Sequence, residues 1–302
     1  MSETEKAGNA EIQALIRLMD EPDEGNYRLI RSRILAYGSE ALPLLEGLLD
    51  QHFDEMLQER IMNLVQEIQL KEVYNELEKW SEAESHNLLK GFFLVSRFQY
   101  PNLNYKEMHA RLDLIIRDIW LEMNDELTAL EKVKVINHVL FDIHRFTANR
   151  QEMHVPQNFF LNTLLDTRKG SPIALGILYM LVSRSLGIPI FGVNLPQHFI
   201  LAYSQEGSLE KDILPAPEEI LFYINPFNQG TVFTHHEIEL YLKQMKFESR
   251  PEYFGACSHE TIVRRLLTNL VISYEKEGKG DKSEELRRLM FALKGGLSGE
   301  QA

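Results

Sequence analysis

An α+β fold, mostly helical with one small antiparallel sheet, follows from three observations on these 302 residues. Apolar residues recur at helical spacing through the N-terminal part of the chain. Short β-type runs, bounded by Gly, Pro and Asn, cluster between Gly187 and Pro226. Helical spacing then returns after Pro251.

The first helix is carried by Ile12, Leu15, Ile16 and Met19 and stops at the turn EPDEGN. Leu29, Ile30 and Ile34 make a second, which ends at Gly38. Ser39 is placed to cap a third, whose Leu42, Leu45, Leu48 and Leu49 form an apolar stripe. Leu57, Ile61, Leu64, Val65 and Ile68 make a fourth. Short amphipathic hairpins with leucine stripes resemble HEAT-type repeats, although a plain helical bundle obeys the same packing rules. Two or so repeats are too few for a free-standing solenoid, so they are expected to pack onto the centre of the chain. GFFLVSRFQY, from Gly91 to Tyr100, reads as the end of a buried helix closed by Pro101. Asn104 to Met123 and Leu127 to Phe141 are helical again. Ile188 to Val193, Phe199 to Tyr203 and Leu221 to Ile224 are the strand candidates. Ile262 to Tyr274 and Ser283 to Leu293 form a helical hairpin around GKGDK, loosely of tetratricopeptide type. With no low-complexity linker, the parts are expected to dock into one body.

Hydrophobic residues at 44% and charged residues at 25% suit a globular chain. A net charge of -13 excludes broad nucleic-acid binding, which needs Lys and Arg against phosphates, and disfavours anionic membrane surfaces. MSETEKAGNAEIQ has no basic start and no apolar run, so no secretory signal is expected, and Pro172 to Leu186 is too short and polar to span a bilayer. The single Cys257 forms no internal disulfide, and a reducing cytoplasm is the expected compartment. It has no recognisable His partner and reads as a packed or free thiol.

The chemistry-bearing stretch runs from Asn162 to Tyr203: a turn, a sharply capped helix, a short strand, a second turn and a strand with His198. Ser171-Pro172 starts the helix, since Ser is a favoured N-cap and Pro a favoured first helical residue. Pro196 and Gln197 put His198 at a strand entrance, facing the expected cleft, where it either lines a ligand pocket or packs as a core histidine. Asn225-Pro226 favours a turn on its own account. His235-His236-Glu237 lacks a third metal ligand and reads as a helix start, with Thr234 as N-cap and Glu237 completing a capping box. No phosphate-cradling glycine loop is present, and no cofactor or metal is expected.

Three segments, FFLNTLLDTRKGSPIALGILY, SRSLGIPIFGVNLPQHFILAY and FYINPFNQG, resemble the transglutaminase-like superfamily in its bacterial SirB-type branch. The resemblance covers roughly Gly91 to Leu240 and rests on Gly170 before a helix, Arg184 near its end, Gly-Ile-Pro at 187–189, Pro-x-His at 196–198 and Asn-Pro at 225–226. It implies a papain-like α+β core at residues 101–250, between HEAT-like helices at 1–100 and the tetratricopeptide-like hairpin at 251–302. Enzymes of the superfamily set a Cys at a helix N-terminus, where aligned peptide dipoles favour the thiolate, against a His and an orienting Asp. Carried onto this chain, those positions hold Pro172, His198 and Asn225. Asn can still orient an imidazole, but proline has no nucleophile. A one-residue shift makes Ser171 the rival nucleophile. In the resemblance Asn162, Arg168, Gly170, Ser171, Gln197, His198 and Asn225 border the cleft, and Arg168 is suited to meet a carboxylate.

The resulting expectation is a pseudoenzyme, a non-catalytic scaffold that binds a protein or peptide, with neither nucleic acid nor membrane as partner. The alternatives are a cryptic hydrolase of peptidase or amidase type, using Ser171 or a water activated by His198, and a purely structural helical assembly module. The loop Ser204–Pro217 is a candidate plug for the cleft.

Overall fold

A computed structural model describes residues 3–49, 55–205, 209 and 213–294, with side chains from residue 10 onward. It divides into two compact units, residues 1–76 and 77–302. Residues 206–208 and 210–212 of the loop proposed as a plug lie outside the described residues.

In the first unit, helices α1 (Glu3–Ile16), α2 (Glu24–Tyr37), α3 (Leu42–Leu49) and the beginning of α4 (Glu55–Lys79) enclose one core. Ile12, Leu15, Met19, Ile34, Leu45, Ile61, Leu64 and Ile68 are all buried in it, as the apolar spacing predicts. Gly38 ends α2 at φ 56°, a conformation that costs least without a Cβ. Ser39 does not cap α3 as expected: a 3-10 turn over Gly38–Ala41 absorbs it, and the helix begins at Leu42. Among the described residues, the one charged residue buried with this core is Arg60. Its Nη1 donates to the carbonyls of Met19 and Glu21, both at 2.8 Å, and its guanidinium lies 3.8 Å from the centre of the Tyr27 ring. It thereby ties down two carbonyls of the turn that follows α1.

The second unit contains α5 (Leu88–Arg97), α6 (Tyr105–Glu122), α7 (Ala129–Asn137), α8 (Leu161–Thr167) and α9 (Pro172–Ser185) ahead of the sheet. After it come α10 (His235–Gln244), α11 (His259–Lys276) and α12 (Gly280–Met290). The sheet is antiparallel, in the order β3 (Ile190–Leu195), β4 (His198–Ser204), β5 (Ile220–Asn225), β6 (Thr231–Phe233). A two-residue parallel pair, β1 (Thr147–Ala148) with β2 (Lys169–Gly170), sits just before α9.

Helix α9 is apolar around its whole circumference, PIALGILYMLV, and is buried from Ile173 to Met180. It packs on β3 and β4. Gly176 sets that approach, since a Cβ there would come within 2.6 Å of the Phe199 ring. Phe199 and Leu201 therefore face α9. The alternate residues of the sheet, Val193, Leu195, Ile200, Ala202 and Tyr223, face the other way and build a second core with Ile238 and Leu242 of α10. Helices and a small antiparallel sheet thus occur as the sequence predicts, and among the described residues no helix is long and apolar enough to cross a membrane.

Candidate functional site

Helix α9 starts as its first two residues dictate. Ser171 has extended backbone angles, and its Oγ accepts from the Ala174 N–H at 3.3 Å, while Pro172 occupies the first helical position. The Ser171 carbonyl takes the Leu175 N–H at 3.0 Å, and the Ser171 N–H donates to the Asn158 carbonyl at 3.1 Å. Asn158 is itself buried and accepts from the Asn149 side chain at 3.0 Å. The hydroxyl of Ser171 is thus committed to a cap, and the residue is only 1% exposed. Asn149 and Asn158 are the partners that sequence reasoning missed; their only signal is that polar residues flank a helix start whose N–H groups need acceptors.

His198 is half-buried and pairs across the hairpin with Leu195, so it shares the α10 face of the sheet. Its ring meets Tyr241 edge-on at 5.4 Å, and the Tyr241 hydroxyl donates to the Pro196 carbonyl at 3.1 Å. His198 stands at a strand entrance as the sequence suggests, and strand alternation turns it to the face opposite α9. Burial lowers its pKa from the ordinary 6.5, and the nearby Arg265 guanidinium lowers it further. Arg265 is held by Asn194 Oδ1 at 3.1 Å and the Leu195 carbonyl at 3.4 Å. Gln197 forms the hairpin tip at φ 60° and is exposed.

Asn225 ends β5 on the same face as Tyr223. Its Oδ1 accepts from the Phe227 N–H at 3.1 Å, which starts the 3-10 turn Pro226–Asn228. Its carbonyl receives the Gly230 N–H at 2.9 Å. Gly230 is at φ 70°, and a Cβ there would fall 1.9 Å from Asn137 Oδ1. That amide is fixed by the buried Tyr179 hydroxyl, which donates to Asn137 Oδ1 at 3.0 Å, and by its own donation to the Gly230 carbonyl at 3.0 Å. The motif FYINPFNQG is thereby explained as a turn locked onto α7 and α9. Among the described residues no hydrogen bond joins any two of Ser171, His198 and Asn225.

Around the helix start, Arg168 adopts left-handed angles, and its guanidinium stacks 4.7 Å from the Phe146 ring centre. Burial lowers its pKa, and so does the neighbouring Arg111, whose own ion pair is with Asp166 at 2.7 Å. Gly170 is buried, and a Cβ there would meet Leu164 at 2.7 Å. Asn162, in the first turn of α8, has a buried Oδ1 without a hydrogen-bond partner. Cys257 donates its N–H to the Gly192 carbonyl at 2.8 Å against the β3 edge, and burial pushes its thiol up to about 12. Thr234 and Glu237 form the predicted capping box, the carboxylate accepting from the Thr234 N–H at 2.7 Å. Among the described residues no group of three or more His, Cys, Asp or Glu could hold a metal ion.

The comparisons with known proteins bear on the same part of the chain. The chain is 26% identical over 208 residues to a UPF0162 protein of Xylella fastidiosa (strain 9a5c), covering 67% of this chain and 70% of that one. With a UPF0162 protein of Vibrio cholerae it shares 23% identity over 192 residues, covering 63% and 67%. With F-box only protein 21 of Mus musculus it shares 32% over 155 residues, or 51% of this chain but only 23% of that one. No solved structure matches. The family description that matches, transglutaminase-like superfamily, spans residues 106–268. That span is more than half of the chain and takes in α9, the sheet and the turn after β5, so the chain belongs to the transglutaminase-like superfamily.

Proposed function

We propose that this chain is a non-catalytic transglutaminase-like protein that binds a protein or peptide segment. One observation carries the reading. The position from which a thiol would attack holds Pro172, and the neighbouring hydroxyl of Ser171 is buried and used as a helix cap. His198, on the α10 face with a lowered pKa, serves recognition instead, as a neutral donor and acceptor beside Tyr241. Gln197 and His198, beside Tyr241, mark the proposed recognition rim; the other residues of the expected cleft, Asn162, Arg168, Gly170 and Asn225, belong to α8, the start of α9 and the turn after β5. The reading includes membership of the SirB-type branch, a HEAT-like N-terminal flank, a tetratricopeptide-like C-terminal hairpin and a cytoplasmic location. Recurrence of the same 155-residue stretch within a much longer F-box only protein supports a role as a module rather than a free enzyme.

The test pairs reactivity with binding. A fluorophosphonate probe is expected to leave Ser171 unlabelled; labelling that disappears in His198→Ala would establish the hydrolase reading instead. Peptides selected by display on the whole protein are expected to lose affinity in His198→Ala while Tm changes little. A loss of folding in that variant would assign His198 to the core and remove it from the rim.

A further inference from the structure

The second unit has a pocket at the opposite end of α9 from Pro172, roughly 18 Å away along the helix at 1.5 Å per residue. It encloses about 360 Å³, at the small end of ligand sites. Its floor is apolar: Leu89 of α5, Leu112 and Ile116 of α6, Met180 of α9, and Ile190 and Phe191 of β3. Its mouth is polar, with His86, His109, Asp113, Arg184, Ser185 and His259.

The charges at the mouth are unequal in what they already do. Asp113 is paired with His109 at 3.0 Å. His259 Nδ1 donates to the Ser85 carbonyl at 2.9 Å, which leaves Nε2 for another partner. Burial lowers the His259 pKa, the bond to the Ser85 carbonyl opposes this, and the Arg184 guanidinium lowers it further; Arg184 itself is a permanent cation. Arg184 is exposed, and among the described residues its guanidinium makes no hydrogen bond or ion pair. On a chain of net charge -13, with carboxylates available to most cations, an unpaired fork of N–H donors over an apolar floor is a distinct feature. A guanidinium binds a carboxylate with two parallel hydrogen bonds. Asp113, in the same lining, repels a monoanion less than a doubly charged phosphate, which favours a carboxylate.

We propose that this pocket binds a carboxylic acid with an apolar body, the carboxylate on Arg184 and the body on the floor formed by Leu89, Leu112, Met180 and Phe191. The acid comes either free, as a small amphipathic molecule, or as the C-terminal end of a peptide whose last residue is apolar. The proposal does not depend on the reading of the helix start, since the two places share no residue.

Calorimetric titration of the full-length protein tests it with four probes: octanoate, octanamide, and a hexapeptide ending in Phe-Leu with a free or an amidated C-terminus. At least one acid is expected to bind, with its amide about tenfold weaker or more, the loss of one charge-assisted pair. Tighter binding of octanoate assigns the free acid; tighter binding of the peptide acid assigns the chain end. Arg184→Gln is expected to weaken the acid by about tenfold, leave the amide unchanged and leave Tm unchanged, because the side chain is exposed. Arg184→Lys, which keeps the charge without the fork, is expected to fall between the two, and it carries the comparison if the Gln variant is unstable. Failure of both acids to bind, equal affinity for acid and amide, or full affinity in the Arg184 variants would overturn the proposal.

Discussion

At position 172 the proline ring fixes φ near the helical value and removes an N–H that has no partner in the first turn. It favours the start of α9 and supplies no nucleophile there. On the proposed reading, restoring the thiol alone should not restore the chemistry, because His198 lies on the face of the sheet turned to α10. Pro172→Cys is therefore expected to show no amidase or amine-incorporation turnover above background, and measurable turnover would refute the placement of His198. The same histidine makes the fold sensitive to acid. Its pKa is lowered on folding, so the unfolded chain takes up the proton more readily. Its contribution to stability is complete above the ordinary value of 6.5 and is lost as pH falls from there toward the lowered value. His259 acts in the same direction. Melting curves across pH 7 to 5 are expected to show a falling Tm, roughly over the window of an imidazole titration, and His198→Gln should flatten the slope. Gly230→Ala combines a positive φ with a collision against an amide held from both sides, and a loss of about 2–4 kcal/mol is expected in denaturant titration.

Among the elements, the long helices were legible because their apolar stripes repeat over several turns: Met108, Leu112, Ile115 and Ile119 of α6 are all buried. The cap at Ser171 and the box at Thr234 were legible because they are local chemistry. What could not be read had no periodicity to carry it. Strands β1 and β2 are two residues each, β6 is three, and α8 was hidden within a motif read as a turn. The facing of His198 was equally hidden, since a strand's two faces are assigned by what packs on each, and both faces here are apolar. The pocket at Arg184 gave no sequence signal beyond an arginine near a helix end, because its floor is assembled from α5, α6, α9 and β3. Packing of α9 on β4 depends on the missing Cβ of Gly176. Gly176→Val is expected to cost about 1–3 kcal/mol by overpacking against Phe199, read as a lower denaturation midpoint with an unchanged m value.

For the molecule as a whole, residues 1–76 and 77–302 form two compact units, each with buried apolar residues of its own. Unfolding is therefore expected to depart from two-state behaviour, with a calorimetric enthalpy larger than the van't Hoff value in a heating scan. Equality of the two would mean that the units melt as one. The superfamily match begins at residue 106 and leaves the first unit outside it.

The lone cysteine has a practical consequence. Cys257 is the only thiol in the chain, it is partly exposed, and burial pushes its thiol up to about 12, so it should react with maleimides more slowly than an ordinary thiol at neutral pH. A sulfhydryl installed at Ser185, exposed in the lining of the same pocket, would then be the faster-reacting handle, and a fluorophore there would report occupancy of the proposed pocket with Arg184 intact.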